Sequence, residues 1–237
     1  MDSKTSDSKI IVALDFANAK EALLLVNQLD PTLCKLKVGK ELFTAAGPQL
    51  VEQLVAKDFK VFLDLKFHDI PSTVGKACEM ASNLGVWMLN VHASGGSAMM
   101  QSALEGVNKS THNPYLIAVT VLTSMRQENL EELGIKNSVE ELVLKLGLLT
   151  QQAGLHGVVC SAMEAEELKK VMRDDFLLVT PGIRPTATSL DDQTRVMSPS
   201  VALSKGASYL VIGRPITQAK NPVEALLAIS KEIQSCH

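Results

Sequence analysis

Eight short apolar runs alternate with longer segments of helical period, and this alternation constrains the fold more than any other feature of the sequence. The runs are rich in Val, Ile and Leu and are predicted as strands at 10–16, 33–39, 60–67, 86–92, 115–122, 157–160, 177–182 and 209–213. The intervening segments are predicted as helices at 19–29, 41–57, 72–84, 96–109, 138–153, 163–172, 199–205 and 222–235. Repeated strand–helix units of roughly 30 residues are typical of an α/β protein with a parallel sheet.

Eight such units predict a (β/α)8 TIM barrel, and a chain of 237 residues has the length that this fold usually needs. A doubly wound open sheet is the alternative, but its usual dinucleotide fingerprint, GxGxxG, is absent from the sequence. No low-complexity linker or shift in composition divides the chain. We therefore expect residues 10–237 to form a single barrel domain and residues 1–9 to form a flexible N-terminal tail.

The third predicted strand carries charges that a purely structural strand would not need. Alternate residues of a barrel strand point toward the helices and into the barrel, so in "VFLDLKF" the aliphatic residues face the helices while Asp64 and Lys66 face inward. Asp15 and Lys37 lie at the ends of the first two predicted strands, and Asp69 follows the third. Active sites of such barrels lie at the C-terminal ends of the strands, so these charges should converge on one rim.

Alternating carboxylates and ammonium groups favour the charged form of each partner. A lysine ammonium can donate a proton, which suits a reaction that develops negative charge on carbon, such as decarboxylation without a cofactor. One alternative is a Mg²⁺ site formed by Asp15, Asp64 and Asp69, against which two nearby lysines argue. Another is an ion-pair network that only closes the top of the barrel. Lys35 points the same way as Lys37 one layer lower, and the sequence indicates no role for it.

Two glycine-containing turns follow the last predicted strands, "TPGIRP" at 180–185 and "GRP" at 213–215. In barrels of this class the loops after strands seven and eight commonly hold a phosphate through backbone N–H groups. Arg214 can add a charge-assisted contact. Residues 184–196 are predicted either as a loop that folds over the ligand and carries Gln193 onto it, or as a plain connection. The two turns together predict a phosphorylated substrate whose reactive end meets the charges.

The net charge of −3 and the pI near 6.0 offer no broad basic field for nucleic acid or an anionic membrane. No segment reaches the roughly 20 apolar residues of a membrane-spanning helix, and "MDSKTSDSK" does not look like a signal peptide. The cysteines are scattered without a CxxC pair, which is typical of reduced thiols. We therefore expect a cytoplasmic protein that binds neither nucleic acid nor membrane.

The stretch "DLKFHDIPSTV" resembles the diagnostic motif D-x-K-x-x-D-I-x-x-T of the orotidine 5′-phosphate decarboxylase family, matched here by Asp64, Lys66, Asp69, Ile70 and Thr73. The resemblance continues through "ALDF", "LKVGKELF", "NVHASGG", "VTVLTS", "TPGIRP" and "VIGRPIT". It implies a homodimeric TIM barrel that converts orotidine 5′-phosphate to UMP and CO2, the last step of de novo pyrimidine synthesis. It also implies that no metal or organic cofactor takes part.

The same resemblance implies a role for each matching residue. Lys66 would protonate C6 of the pyrimidine, Asp64 would lie beside the scissile carboxylate, and Lys37 would order the charges. Asp69 and Thr73 would reach the site of the neighbouring subunit. The phosphate would be held by Arg184, Gln193, Gly213 and Arg214. The full set of implied substrate contacts is Asp15, Lys37, Asp64, Ile70, Thr73, Thr123, Ser124, Pro181, Arg184, Gln193, Gly213 and Arg214.

Two other functions fit parts of this pattern. A metal-dependent lyase, such as a hexulose phosphate synthase or a 3-keto-gulonate phosphate decarboxylase, shares the barrel and the D-x-K-x-x-D core. The continuation from Ile70 to Thr73 and the presence of Lys37 favour the orotidylate enzyme. A catalytically silent phosphosugar-binding barrel would bind nucleotide without turnover. Maintaining adjacent charges at a desolvation cost argues against such a protein.

Overall fold

The eight apolar runs form a closed barrel of parallel strands that pair in chain order, with the last strand returning to the first. This computed structural model describes residues 7–185 and 197–235. The strands are β1 Ile10–Ala13, β2 Lys35–Gly39, β3 Val61–Phe67, β4 Met88–His92, β5 Tyr115–Val119, β6 Gly157–Val159, β7 Leu177–Thr180 and β8 Tyr209–Ile212. The predicted (β/α)8 barrel is confirmed, and every predicted strand overlaps an observed one.

Helices surround the barrel, and several begin at a side chain that accepts a backbone N–H. Ser138 and Glu141, for example, form a reciprocal capping box at the start of the sixth helix. The helices are α1 Ala19–Val26, α2 Lys40–Val55, α3 Pro71–Asn83, α4 Gly96–Asn108, α5 Gln127–Glu132, α6 Val139–Gln152, α7 Ala165–Val171, α8 Pro199–Ser204, α9 Arg214–Thr217 and α10 Pro222–Gln234. Neither α5 nor α9 was predicted, because both are too short to show an apolar repeat. In the described parts of the chain, no helix has both the length and the apolar character needed to cross a membrane.

The core has two layers, and β3 contributes to both. Val61 and Leu63 are fully buried between the strands and the helices. Phe62 points the other way, into the barrel, where it packs with inward-facing apolar residues such as Met88 and Ile117. The prediction that the even-numbered residues of β3 point into the barrel is therefore confirmed for Phe62. The same alternation directs Asp64, the next even-numbered residue, toward the barrel mouth.

Helix α3 follows β3 at the mouth and is held in place by unusually close packing on α4. A Cβ atom at Gly106 would lie 2.0 Å from the carbonyl oxygen of Gly75, so any other residue at this position would prevent the close approach of α3 and α4. A Cβ atom at Gly75 would in turn lie 2.7 Å from Ser102 Oγ. The pair of glycines thus fixes the position of α3 against the barrel, and with it the residues that begin the helix.

The bottom of the barrel contains Lys35, for which the sequence indicated no role. Its side chain is 2% exposed, and its Nζ lies 3.0 Å from Asp7 Oδ1 and 4.9 Å from the centre of the Tyr209 ring. The Tyr209 hydroxyl donates to Asp7 Oδ2 at 2.8 Å. Burial lowers the pKa of Lys35, and the Asp7 carboxylate opposes that shift. Lys35 therefore closes the bottom of the barrel together with Asp7. Residues 1–6 lie outside the described residues, and the tail boundary stays a prediction.

His156 connects the stability of the barrel to pH. Its Nδ1 accepts the backbone N–H of Leu116 at 2.9 Å, and burial lowers the pKa of His156 from its ordinary 6.5. As the pH falls, His156 therefore binds a proton in the unfolded chain before it does so in the folded protein. The contribution of His156 to the stability of the fold should be fully present above about pH 6.5 and should decrease as the pH falls below that value. We expect the melting temperature to fall between about pH 7.5 and 5.5, and to fall less in His156→Asn, whose Oδ1 can accept the same N–H without titrating. Circular dichroism melts at both pH values test this, and equal losses in the two proteins would contradict it.

Candidate active site

Four charged side chains form a continuous array at the C-terminal ends of the first three strands. Lys37 Nζ lies 3.2 Å from Asp15 Oδ1 and 3.5 Å from Asp64 Oδ2. Lys66 Nζ lies 2.5 Å from Asp64 Oδ1. The predicted convergence of Asp15, Lys37, Asp64 and Lys66 is thus present in the structure, in the alternating order carboxylate, ammonium, carboxylate, ammonium.

The array runs from the open rim to an enclosed interior. The Asp15 side chain is 66% exposed, whereas the side chains of Lys37 and Asp64 are 11% and 12% exposed. Lys66 is intermediate at 25%. Buried charges are tolerated where each has an opposite partner, which this alternation provides. Lys66 is therefore held by a buried carboxylate while part of its side chain remains accessible to a ligand at the mouth.

The backbone at Lys66 is unusual. Its φ is 53°, in the left-handed region that residues other than glycine rarely adopt, and β3 shifts register against β4 between Leu63 and Phe67. Such backbone strain tends to persist at functional sites, where surrounding contacts hold it. One contact here comes from Asn90 of β4, whose Oδ1 accepts the Lys66 backbone N–H at 2.8 Å. The sequence places Asn90 at the end of a strand that faces the barrel mouth and predicts that it supports the lysines by hydrogen bonds, which this bond confirms for Lys66.

A small cavity of about 190 Å³ joins the array to the two glycine-containing turns. Asp15 and Lys37 line one side of it. The other side includes four residues that the family resemblance assigns to the substrate, Pro181, Arg184, Gly213 and Arg214. The structure therefore brings the predicted phosphate end next to the charged end. A local positive site of this kind suits an anion in a protein whose overall charge is negative.

Gly39 is a site residue that the sequence analysis missed. A Cβ atom at this position would lie 3.2 Å from Lys37 Nζ and would crowd the ammonium group. The absence of a side chain therefore leaves room for Lys37 to reach Asp15 and Asp64. The signal in the sequence was a glycine as the last residue of an apolar strand, which by itself is indistinguishable from a strand terminator.

Asp69 and Ile70 lie just before α3, Thr73 lies in its first turn, and all three are exposed. Asp69 Oδ1 accepts the backbone N–H of Ile70 at 2.6 Å. Within residues 7–185 and 197–235 of this chain, no lysine or arginine forms an ion pair with Asp69. A single chain therefore does not bring Asp69 into the array, and its predicted place in the site of a neighbouring subunit stays a prediction.

Thr123 and Ser124 are two further predicted contacts that the structure does not bring to the cavity. Both are exposed in the turn after β5 and do not line the 190 Å³ space. Gln193 lies outside the described residues, as do positions 186–196 of the predicted loop. The roles implied for these residues stay predictions.

The alternative of a Mg²⁺ site depends on three carboxylates coming together. Asp15 and Asp64 both contact the Lys37 ammonium, which lies between them. Asp69 is exposed just before α3, where its carboxylate accepts the backbone N–H of Ile70. Among the residues described, no three His, Cys, Asp or Glu side chains are grouped so that they could hold a metal ion. The arrangement thus favours an ion-pair array over the proposed ligand set.

A second cavity, of about 710 Å³, lies between the ends of β4 and β5 and the helices α5 and α6. His68 and His92 line it, with ring centres 5.5 Å apart. Burial lowers the pKa of His92, and the nearby His68 lowers it further. The apolar lining includes Leu122 and Leu133, which are 39% and 66% exposed.

Several known proteins are similar to this chain over nearly its whole length. The sequence model of the "Orotidine 5′-phosphate decarboxylase / HUMPS family" matches residues 8–229. A relative from Nitrosococcus oceani named orotidine 5′-phosphate decarboxylase is 58% identical over 228 residues, which cover 96% of this chain and 98% of the relative. One of the same name from Pseudoalteromonas atlantica is also 58% identical over 228 residues, with 96% and 99% covered. The crystal structure of orotidine 5′-phosphate decarboxylase from Lactobacillus acidophilus superposes with a TM-score of 0.86 at 38% identity, covering 96% of this chain and 99% of that one. This chain belongs to the orotidine 5′-phosphate decarboxylase / HUMPS family.

Proposed function

We propose that this protein is a carboxy-lyase that converts orotidine 5′-phosphate to UMP and CO2 in pyrimidine biosynthesis, with residues 10–237 as its one catalytic domain. The observation that carries the proposal is the continuous array of charges that ends at Lys66. Two members of this array, Asp15 and Lys37, line a cavity that also contains two arginines. The nearly full-length relatives named orotidine 5′-phosphate decarboxylase support it. We also propose a cytoplasmic location, which agrees with Cys34, Cys78 and Cys160 being buried and unpaired.

The substrate is held by its phosphate. Arg184, Arg214 and the backbone at Gly213 surround the cavity that receives this group. The family resemblance also assigns Gln193 to the phosphate. Asp15 and Lys37 line the same cavity and meet the ribose, which lies between the phosphate and the base. Binding energy from these remote contacts can be used to hold the reacting carbon against Lys66 in the transition state.

The reaction takes place at Lys66. The bond between C6 and the substrate carboxylate breaks, CO2 leaves, and the electron pair stays on C6. The Lys66 ammonium stabilises this charge and transfers a proton to C6, after which water reprotonates the amine. Asp64, at 2.5 Å, orients the ammonium. The same carboxylate faces the leaving group, and repulsion between two negative charges is relieved when neutral CO2 departs.

We further propose that the enzyme is a homodimer in which Asp69 and Thr73 enter the neighbouring site. Both residues are exposed at the start of α3, and Asp69 pairs with no lysine or arginine within the described part of its own chain. Ile70 between them is 64% exposed, a high value for an isoleucine in a folded monomer. The exposed apolar lining of the 710 Å³ cavity supplies a surface that a second copy can cover.

The family description names HUMPS enzymes beside orotidine 5′-phosphate decarboxylase, so membership of the family does not by itself decide between activities. Independence of the activity from metal separates the proposed function from that of a metal-dependent lyase. We expect enzyme dialysed against a chelator to consume orotidine 5′-phosphate at a rate within about twofold of the untreated enzyme, since a lysine ammonium supplies the charge stabilisation. The loss of substrate absorbance at pH 7 measures this.

Each other result of this assay indicates a different function. Activity that disappears on chelation and returns with Mg²⁺ would assign the protein to the metal-dependent lyases. Nucleotide binding without turnover would assign it to the silent binding barrels. Either result would contradict the proposed function.

A further inference from the structure

We propose that Asn90 is a positioning residue for this reaction, whose side-chain amide sets the orientation of Lys66 relative to Asp64. The inference rests on the proposed function, since it concerns the same site. It starts from an irregularity in the sheet. Leu63 of β3 pairs with Leu89 of β4, but the next aligned pair is Phe67 with Val91.

Between these two aligned pairs, three residues of β3 face one residue of β4. The three are Asp64, Leu65 and Lys66, and the one is Asn90. An excess of residues on one strand leaves backbone groups without their regular partner in the ladder. The Lys66 N–H is such a group, and the Asn90 side chain accepts it at 2.8 Å. Asn90 therefore holds the backbone of Lys66 in its left-handed conformation, with φ at 53°.

The other half of the same amide holds the carboxylate. Asn90 Nδ2 donates to Asp64 Oδ1 at 2.7 Å. That oxygen also receives Lys66 Nζ at 2.5 Å, and the second oxygen, Oδ2, lies 3.5 Å from Lys37 Nζ. The bonds form a closed loop that runs from the Lys66 backbone through Asn90 and Asp64 to the Lys66 side chain. Both ends of the lysine are thereby fixed by one asparagine.

Only a side chain with a donor and an acceptor side by side can do this. Asparagine carries both on one short, planar group, whereas a carboxylate only accepts and an ammonium only donates. The orientation of the amide follows from its partners, because a backbone N–H requires the oxygen and a carboxylate requires the nitrogen. Asn90 is fully buried and does not line the 190 Å³ cavity, so it acts through Lys66 and Asp64 rather than on the substrate.

Two substitutions test the role. Asn90→Ala removes both bonds, and we expect kcat to fall on the order of 10- to 100-fold with KM changed less than about threefold, because a displaced proton donor affects the reaction step more than phosphate binding. Asn90→Asp has nearly the same shape and keeps the acceptor for the Lys66 N–H, but it cannot donate to an ionised Asp64. It should lose at least as much kcat as the alanine variant. UMP affinity, measured by calorimetry, should remain within about threefold in both.

Ser82→Ala serves as the matched control. Ser82 is also fully buried, and its hydroxyl donates to the Cys78 carbonyl at 2.7 Å within α3, away from the array. Its loss should lower the melting temperature and leave kcat unchanged. Crystal structures of wild type and Asn90→Ala give a readout that does not depend on turnover. We expect the φ of residue 66 to leave the left-handed region in the variant and its Nζ to move away from Asp64.

The possible results separate this inference from the proposed function. A wild-type protein that does not consume orotidine 5′-phosphate would contradict the function, while the two crystal structures would still decide whether Asn90 sets the geometry of Lys66. An active wild type together with an Asn90→Ala protein of unchanged kcat would overturn the inference alone. A raised KM with unchanged kcat would also overturn it, as would an unaltered position of Lys66 in the variant structure.

Discussion

Replacing Lys66 with alanine is expected to lower kcat by at least about 10³-fold while UMP affinity stays within about threefold. Lys66 Nζ is the ammonium nearest to the most buried carboxylate of the array, and its side chain remains partly accessible at the mouth. Its removal takes away both the charge that stabilises C6 and the proton that neutralises it. The phosphate cavity is formed by other residues, so binding should persist. Substrate absorbance at saturation gives kcat, and calorimetry with UMP gives the affinity.

Two further variants make this result specific to Lys66. Lys66→Arg keeps a positive charge beside Asp64 but does not release a proton at neutral pH, so it should remain close to the alanine variant. Lys170→Ala removes another lysine that lies 2.5 Å from a carboxylate, in an exposed pair on α7, and should leave kcat unchanged. A Lys66→Ala protein that retained kcat within about tenfold would rule out the role of proton donor.

The second large effect concerns Asp69. We expect Asp69→Ala to lower kcat on the order of 100-fold, although this carboxylate pairs with no lysine or arginine within the described residues of its own chain. Mixing inactive Asp69→Ala and Lys66→Ala subunits under exchange should restore activity. Half of the dimers would be mixed, and each would contain one intact site, so about a quarter of the wild-type activity should return.

A different pair of variants provides the control for this mixing experiment. Asp64 and Lys66 belong to the same site on the same chain, where they are in direct contact. A mixture of Asp64→Ala and Lys66→Ala subunits therefore produces no intact site and should remain inactive. If the first mixture stayed inactive although subunit exchange had been demonstrated, the proposal that Asp69 acts in the partner's site would be wrong.

The fold could be predicted from the sequence because buried apolar runs and helical repeats differ in period, but the strand ends could not. The run at 10–16 contains only the strand Ile10–Ala13, and the run at 115–122 contains only Tyr115–Val119. Leu14 and Val121 are buried although both lie beyond those ends. Apolar residues in a sequence indicate which positions are buried, whereas the length of a strand depends on where its neighbouring strands stop pairing with it.

The site divides in the same way. The meeting of Asp15, Lys37, Asp64 and Lys66 could be predicted, because parallel strands end at one rim and alternate residues share a direction. That Asn90 supports the lysines by hydrogen bonds could also be predicted from its place at the barrel mouth, but its particular partners could not, because they depend on how β3 and β4 align. The sequence of one strand does not determine how that strand aligns with its neighbour. Contacts of Asp69 beyond its own chain rest, for the same reason, on the family motif.

The uneven pairing of β3 with β4 has a consequence for how this chemistry can be moved between proteins. A designer who copied "DLKFHD" onto a regularly paired strand of another barrel would transfer the charges without the backbone conformation that directs Lys66. The host's next strand would also have to supply an amide at the facing position, as Asn90 does. The smallest part of this site that could be transferred to another protein is therefore a pair of adjacent strands. A short motif from one strand specifies only half of that pair.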